Sequence, residues 1–268
     1  MNANEILEWL QATNEESSFW FPALGDGSPP VLNAGETCTN LVLLVITDAA
    51  FTNLLSRYSQ LGYVILLVDR HSDSQLGGRC HLLEFGSSKS TRVCVSTFSG
   101  ELQAATRGLE RGRFLQSWLT EIWCGRPENP ISLDHGPMAI TMETVVDARG
   151  LFDALTNRDL GKLTDKSMAL YVISYREQLR SRIVARMHWV PTESMLADDL
   201  TKKMIYGSGL WPILFRFAFW QPDSRPELTE DYVTWYGNNG EVVRYRLGDV
   251  VRTYVEELER PLDAEETA

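Results

Sequence analysis

A run of six aliphatic residues places the strongest constraint on how this chain can fold. Residues 41–46 read Leu-Val-Leu-Leu-Val-Ile and have the length of one strand. Continuous apolar character of this length is typical of a strand buried on both faces. Such a strand needs packing layers on both sides. Asp48 lies two residues after the run, and packing in an apolar core gives no reason for a carboxylate there. The run therefore predicts a central strand with a carboxylate at its end.

The patterns that follow predict a mixed sheet. Strands at residues 63–68 and 80–85 have short connections, which favours an antiparallel meander. A helix follows from the serine-rich segment 96–99 to about Ile122, and its apolar residues, Phe114, Trp118 and Ile122 among them, approximate one helical stripe. The later elements are a strand at 142–146, helices at 151–155 and 166–180, a strand at 183–190, and a last helix from Thr192 or Glu193 to Lys203. The predicted fold class is α/β, with a five-stranded mixed sheet, meander first and crossovers later, flanked by helices.

The net charge of −11 is unevenly distributed along the chain. Residues 37–204 contain 19 Lys and Arg against 18 Asp and Glu, a net charge of +1. The two flanks hold the other 6 basic and 18 acidic residues, a net charge of −12. The middle of the chain is therefore balanced, and its charge does not exclude a nucleic-acid enzyme.

Several classes of protein are disfavoured by composition. The four cysteines (Cys38, Cys80, Cys94, Cys124) and four histidines (His71, His81, His135, His188) lack zinc-ligand spacing. No apolar run approaches the roughly 20 residues that cross a bilayer. The first residues form no signal peptide. We therefore expect an intracellular protein, cytoplasmic or nuclear, with reduced thiols and no membrane partner.

Four acidic residues are candidates for a metal site: Asp48, Glu101, Asp147 and Asp198. Each lies at a strand end or near a helix start. Carboxylates gathered in one place repel one another, so a fold keeps them together mainly where divalent metal neutralises them. Taken singly, Asp147 and Asp198 could instead be turn formers or helix caps. Glu101 is expected in the first turn of its helix, where a favourable interaction with the helix dipole could explain it. Together they favour metal-dependent phosphoryl transfer.

Sequence motifs around these residues resemble a known family. Residues 190–202, Val-Pro-Thr-Glu-Ser-Met-Leu-Ala-Asp-Asp-Leu-Thr-Lys, are similar to the VPT…LAD.LTK signature of the RNase H domain of copia-type retrotransposon polyproteins. Thr-Asp-Ala-Ala-Phe at 47–51 and Ser-Ser-Lys at 87–89, leading to Glu101, resemble two further family motifs, and Val-Asp-Ala-Arg at 146–149 matches a fourth. The resemblance covers about residues 40–204.

This resemblance implies an RNase H-like fold and hydrolysis of the RNA strand of RNA–DNA hybrids. Asp48, Glu101, Asp147 and Asp198 would be catalytic and would hold two Mg²⁺ or Mn²⁺ ions. An adjoining reverse transcriptase domain or subunit would be a possible source of the hybrid. Two alternatives stay open: a nucleic-acid-binding or protein-interaction module that has kept the fold without activity, and a DNA nuclease or transposase-like enzyme.

Cationic and aromatic residues are candidates for substrate contact. Lys89 and Arg92, expected in a loop beside the second motif, are predicted to bind the nucleic-acid backbone, and Arg149 and Lys202 flank site positions. His188 has two interpretations, a proton shuttle or a half-buried strand histidine, and the second is favoured. Five of the eight tryptophans, at positions 118, 123, 189, 211 and 220, are predicted to be core or docking residues.

Three segments are predicted from these observations. Residues 1–39 form an N-terminal lead-in with a short helix at 4–12, and residues 40–204 form the RNase H-like domain. Residues 205–268 form an extension that is first aromatic and then acidic. Within the extension we expect a docking segment at 210–220, a hairpin around residues 237–240 and a charged helix at 248–259.

Overall fold

The chain clusters into two compact units, Met1–Pro222 and Asp223–Ala268. A computed structural model describes residues 24, 38–51, 58–69, 76–124, 138–157, 168–202, 219–220, 222, 224–228, 232–237 and 242–246. The helices predicted at 4–12 and 248–259, and most of the docking segment at 210–220, lie outside these residues.

The first unit is built on a six-stranded sheet. Its elements are β1 (Cys38–Ala50), β2 (Gln60–Asp69), β3 (Gly78–Lys89), α1 (Thr97–Cys124), β4 (Ile140–Val146), α2 (Arg149–Thr156), α3 (Ala169–Arg180), β5 (Arg186–Trp189), a 3₁₀ turn (Thr192–Ser194), α4 (Asp198–Thr201) and β6 (Phe219–Trp220). The strand order is β5-β4-β1-β2-β3-β6. β2 is antiparallel to β1 and β3, whereas β4 and β5 run parallel to β1. The predicted mixed sheet, with a meander first and crossovers later, is confirmed, and β6 is an additional edge strand.

The central strand β1 is buried on both faces, as predicted. Leu43 and Val45 belong to the core beneath α1, and Leu44 and Ile46 belong to a second core on the opposite face. All four side chains are fully buried.

None of the helices among the described residues combines the length and apolar character needed to cross a bilayer.

α1 packs closely against the sheet. An added Cβ at Gly112 would lie 2.6 Å from Val45 Cγ2, and one at Gly108 would collide with Thr47. Real Cβ atoms do not approach so closely, so glycine is required for this contact. The approach brings the N-terminal half of α1 to the end of the sheet where Asp48 lies.

The predicted apolar stripe of α1 is only partly buried. Leu102, Ala105, Leu109, Leu115 and Leu119 lie in the core. By contrast, Phe114, Trp118 and Ile122 are exposed, with relative exposures of 58%, 52% and 54%. The predicted stripe included residues that do not face the core. Phe114, Trp118 and Ile122 are four residues apart and so share a second face of the helix, which is exposed.

The predicted last helix is replaced by two short turns. The 3₁₀ turn Thr192–Ser194 and the four-residue α4 are separated by Met195, Leu196 and Ala197, all three of which are buried in the second core. A surface helix buries one face only, so three consecutive buried residues require a more irregular backbone. Asp198 therefore begins a single helical turn.

The second unit contains a three-stranded antiparallel sheet. Its strands are β7 (Ser224–Leu228), β8 (Tyr232–Gly237) and β9 (Val242–Arg246), in that order. Tyr236 pairs with Val242, so strands flank the segment where the hairpin was predicted. The pairing confirms a hairpin, while its turn lies outside the described residues.

Glycine substitutions test the packing of α1. We expect Gly112→Ala to destabilise the protein by about 1–3 kcal/mol, because the new methyl group overpacks the contact with Val45. Gly150→Ala, in α2, is the matched control because nothing lies within 4 Å of its added Cβ. Alanine has the higher helix propensity, so the control should be neutral or stabilising by up to about 1 kcal/mol. Urea denaturation measures both, and equal effects would contradict the proposed close approach.

Candidate metal centre

Asp48 lies inside β1 and not after its end. The strand continues to Ala50, and Asp48 pairs with Gly62 of β2. The carboxylate is buried, with 3% relative exposure, and its Oδ2 accepts a short hydrogen bond from Thr201 Oγ1 of α4. The carboxylate is therefore held toward the end of the sheet by a residue from the C-terminal part of the predicted domain.

Glu101 reaches this point from α1. It is the fifth residue of the helix and lies in its second turn, one turn later than predicted. The helix-dipole explanation is weaker there, because the dipole acts mainly within the first turn. The backbone N–H of Ala49 donates a hydrogen bond to the carboxylate. Glu101 Oε2 is buried without a hydrogen-bond partner among the described residues.

Asp147 directly follows β4 and is held from two sides. Thr192 Oγ1 donates to Asp147 Oδ2 over 3.0 Å. The indole Nε1 of Trp189 donates to the backbone carbonyl of Asp147 over 2.7 Å. Both the side chain and the backbone of this residue are thus positioned by β5 and the turn after it.

These three carboxylates converge. One oxygen each from Asp48, Glu101 and Asp147 lies within 4.8 Å of the others. Carboxylate oxygens are the ligands that Mg²⁺ and Mn²⁺ prefer. The buried Oε2 of Glu101 has no hydrogen-bond partner in the described part of the chain, so its lone pairs are available to a cation. The donor set therefore fits a hard divalent cation.

Burial and the charges of neighbouring carboxylates, Asp198 among them, raise the pKa of all three groups. Burial and the charges of Asp48 and Asp147 raise the pKa of Glu101 to about 9. Burial raises the pKa of Asp48 to about 6, although the Thr201 hydrogen bond opposes this rise, and burial also raises the pKa of Asp147. Without a cation, this arrangement favours the protonated carboxyl groups.

Asp198 is close to the cluster but is ion-paired. Lys202 Nζ lies 2.6 Å from Asp198 Oδ1 and 2.5 Å from Oδ2. The charge of Asp198 also contributes to the raised pKa values of Asp48, Glu101 and Asp147. Partial burial lowers the pKa of Lys202, but the hydrogen bond and charge of Asp198 outweigh burial and raise it. Asp198 therefore stays a predicted ligand.

The four predicted substrate-binding cations occupy different positions. Lys89 is exposed at the last residue of β3 and not in a loop. Arg92 is exposed in the turn that follows, with its guanidinium 5.3 Å from the centre of the Tyr171 ring. Arg149 begins α2, and Lys202 is engaged by Asp198. Their roles in substrate binding stay predictions.

His188 contacts a buried carboxylate of the sheet. Its Nε2 lies 2.7 Å from Glu143 Oε2, and the side chain of Glu143 is 2% exposed. His188 is itself half-buried in β5, as the favoured interpretation predicted. This contact joins β5 to β4 and accounts for the histidine without a proton-shuttle role.

Sequence reasoning missed three residues that position the carboxylates. Thr192 and Thr201 lie within the motif at 190–202, but their hydroxyl groups were given no role. Trp189 was predicted to be a core or docking residue, whereas 41% of it is exposed. Its position at the end of the predicted strand, two residues before Pro191, was the available signal.

Comparisons with known proteins give a limited result. No family model and no curated protein matches the sequence. Solved structures of RNase H domains are similar in fold. The N-terminal RNase H domain of a Mycobacterium tuberculosis protein, solved as a fusion with maltose-binding protein, is 13% identical with a TM-score of 0.39, over 60% of this chain and 91% of that one.

Two further structures give similar values. RNase H1 from the halophilic archaeon Halobacterium salinarum is 15% identical with a TM-score of 0.38, over 59% of this chain and 92% of that one. LC11-RNase H1, solved in complex with an RNA/DNA hybrid, has the same identity, TM-score and coverage.

The raised pKa of Glu101 predicts how stability depends on pH without metal. The folded pKa is about 9, against a usual value of 4.5, so the stabilising contribution of the bound proton is present below pH 4.5 and is lost as the pH rises through 9. With EDTA present, we expect the free energy of unfolding to fall between pH 5 and pH 9. Glu101→Gln cannot ionise, so this fall should shrink by up to about 5 kcal/mol. Equal slopes in urea denaturation would contradict the clustered site.

Asp147→Asn tests the same cluster through metal binding. Removing one negative charge relieves repulsion, so the variant should melt at a higher temperature than the natural protein in EDTA. Mg²⁺ or Mn²⁺ should raise the melting temperature of the natural protein but not of the variant. Glu110→Gln, at an exposed position of α1, is the control and should keep the metal response. If Asp147→Asn melts at a lower temperature than the natural protein in EDTA and still responds to Mg²⁺ or Mn²⁺, Asp147 lies outside the metal site.

Proposed function

We propose that this chain is a divalent-metal-dependent nuclease that hydrolyses the RNA strand of RNA–DNA hybrids. The observation that supports it is the convergence of one oxygen each from the buried Asp48 and Glu101 and the half-buried Asp147 within 4.8 Å. Among the described residues, Glu101 Oε2 has no hydrogen-bond partner. Buried carboxylates without cationic partners are unstable unless a cation balances them, and phosphodiester hydrolysis uses such a site.

The chain supplies positioning and charge. Thr201 holds the Asp48 carboxylate, the Ala49 N–H holds that of Glu101, and Thr192 holds that of Asp147. These hydrogen bonds fix the orientation of the oxygens before any ligand arrives. Two Mg²⁺ or Mn²⁺ ions bound there would lower the pKa of the attacking water and neutralise the leaving oxygen. We propose Asp198 as the fourth ligand.

Preference for an RNA–DNA hybrid rests on the motif resemblance at residues 190–202 and around Asp48. The same resemblance supports origin from a retrotransposon polyprotein, in which a reverse transcriptase domain or subunit would deliver the hybrid. Lys89 and Arg92 are exposed beside the second motif and are proposed to contact the phosphate backbone. Arg149 and Lys202 complete the proposed substrate-binding set.

One observation favours the rival function, a binding module without activity. Lys202 donates to both oxygens of Asp198 and so occupies the fourth carboxylate. A protein that keeps this ion pair permanently would hold fewer metal ligands. Such a protein should bind hybrid without cleaving it.

A cleavage assay separates these functions. We expect the natural protein to cleave the RNA strand of a labelled hybrid in Mg²⁺ and not in EDTA. Asp48→Asn, Glu101→Gln and Asp198→Asn should each reduce the rate by about 10³-fold or more, because ligands that act as a unit give large single effects. His188→Ala should cost much less, and Glu110→Gln should be neutral.

Each contrary outcome has a distinct meaning. Binding without cleavage under all conditions would favour the non-catalytic module. Cleavage of duplex DNA in preference to the hybrid would favour a DNA nuclease. Full activity of Asp198→Asn would remove that residue from the ligand set.

A further inference from the structure

Trp189 combines exposure with a direct link to the carboxylate cluster. The residue ends β5, and 41% of its surface is exposed. Its indole N–H is used, because Nε1 donates to the carbonyl of Asp147 over 2.7 Å. The polar edge of the ring therefore faces the cluster, and the exposed area belongs to the rest of the indole.

Arg149 also contacts the Trp189 ring. Its guanidinium carbon lies 5.3 Å from the centre of the Trp189 ring and 5.3 Å from that of Phe152. Its Nε lies 3.2 Å from Asp153 Oδ1, four residues along α2. The guanidinium of Arg149 is thus shared between two rings and a carboxylate. It packs against the Trp189 ring and adds a positive charge beside it.

We propose that Trp189, with Arg149 beside it, is a stacking surface for one nucleotide of the substrate strand beside the metal centre. The inference rests on the proposed function and adds to it the contact that places the strand at the cluster. An aromatic face accepts any base or sugar, so this contact positions the strand without reading its sequence. Trp189 also positions Asp147 through its N–H, and the two roles belong to different parts of one side chain.

A nucleic-acid strand fits this surface better than a protein partner for two reasons. The surface is continuous with the carboxylate cluster through Asp147, so an occupant is brought to the point where a phosphodiester would react. The guanidinium beside the ring complements a polyanion, whereas an apolar protein surface would have to desolvate that charge. A protein partner is therefore an outcome of the test.

Two substitutions separate the roles of Trp189. Trp189→Leu removes the ring, and we expect it to bind a fluorescein-labelled hybrid about tenfold more weakly. Binding is measured by fluorescence anisotropy. Ca²⁺ replaces Mg²⁺ in this measurement so that the strand stays intact. Trp189→Phe keeps a ring but removes the N–H. It should bind hybrid within about twofold of the natural protein, yet its melting temperature should respond less to Mn²⁺, because the Asp147 backbone has lost its anchor.

The matched controls are Trp118→Leu and Trp118→Phe. Trp118 is 52% exposed on α1 and has no part in the proposed site, so both variants should keep hybrid affinity and the Mn²⁺ response. If Trp189→Leu fails to fold, quenching of tryptophan fluorescence by unlabelled hybrid replaces it. The quenching should be lost in Trp189→Phe and retained in Trp118→Phe.

The outcomes separate this inference from the proposed function. Unchanged affinity in Trp189→Leu, or quenching retained in Trp189→Phe, would overturn the stacking surface even if the protein cleaves hybrid. Equal loss of affinity from Trp118→Leu would also overturn it, because the effect would not be local. Loss of affinity in Trp189→Leu alone supports the surface even if no hybrid is cleaved, in which case the nuclease proposal fails and the strand-binding role stands.

Discussion

Repulsion among three carboxylates is the interaction on which the rest of this structure depends. Asp48, Glu101 and Asp147 come from a strand, a helix and a strand end, so only the assembled fold brings them within 4.8 Å. Their raised pKa values show that burial without a cation favours the protonated forms. The free energy that holds them together must come from packing elsewhere.

That packing comes from two layers that meet at one end of the sheet. α1 lies against β1 with no room for side chains at Gly108 and Gly112, which fixes how far Glu101 can lie from Asp48. On the opposite face, burial of Met195, Leu196 and Ala197 anchors the turn that presents Thr201 to Asp48. Loosening either layer would change the distances within the cluster, so stability and site geometry are coupled.

The sequence predicted much of this arrangement because its strongest signals are local. Continuous apolar runs identified the strands, and a carboxylate beside each run identified Asp48 and Asp147. The last helix was predicted wrongly, since three consecutive buried residues at 195–197 depend on a second core that no periodicity reveals. The roles of Thr192 and Trp189 depend on contacts between distant segments, and the ion pair of Asp198 depends on which rotamers the assembled site leaves open.

The free energy of the Asp198–Lys202 ion pair can be compared with the free energy of binding a divalent cation to Asp198. Both side chains are partly exposed, at 19% and 52%, and pairs of this kind contribute only about 0–1 kcal/mol. A divalent cation interacts with several carboxylates at once in a buried setting, where each charge interaction is stronger than at the surface. The ion pair is thus the weaker of the two competing interactions. Lys202 can be displaced without loss of the fold, and we therefore keep Asp198 in the proposed ligand set despite its present partner.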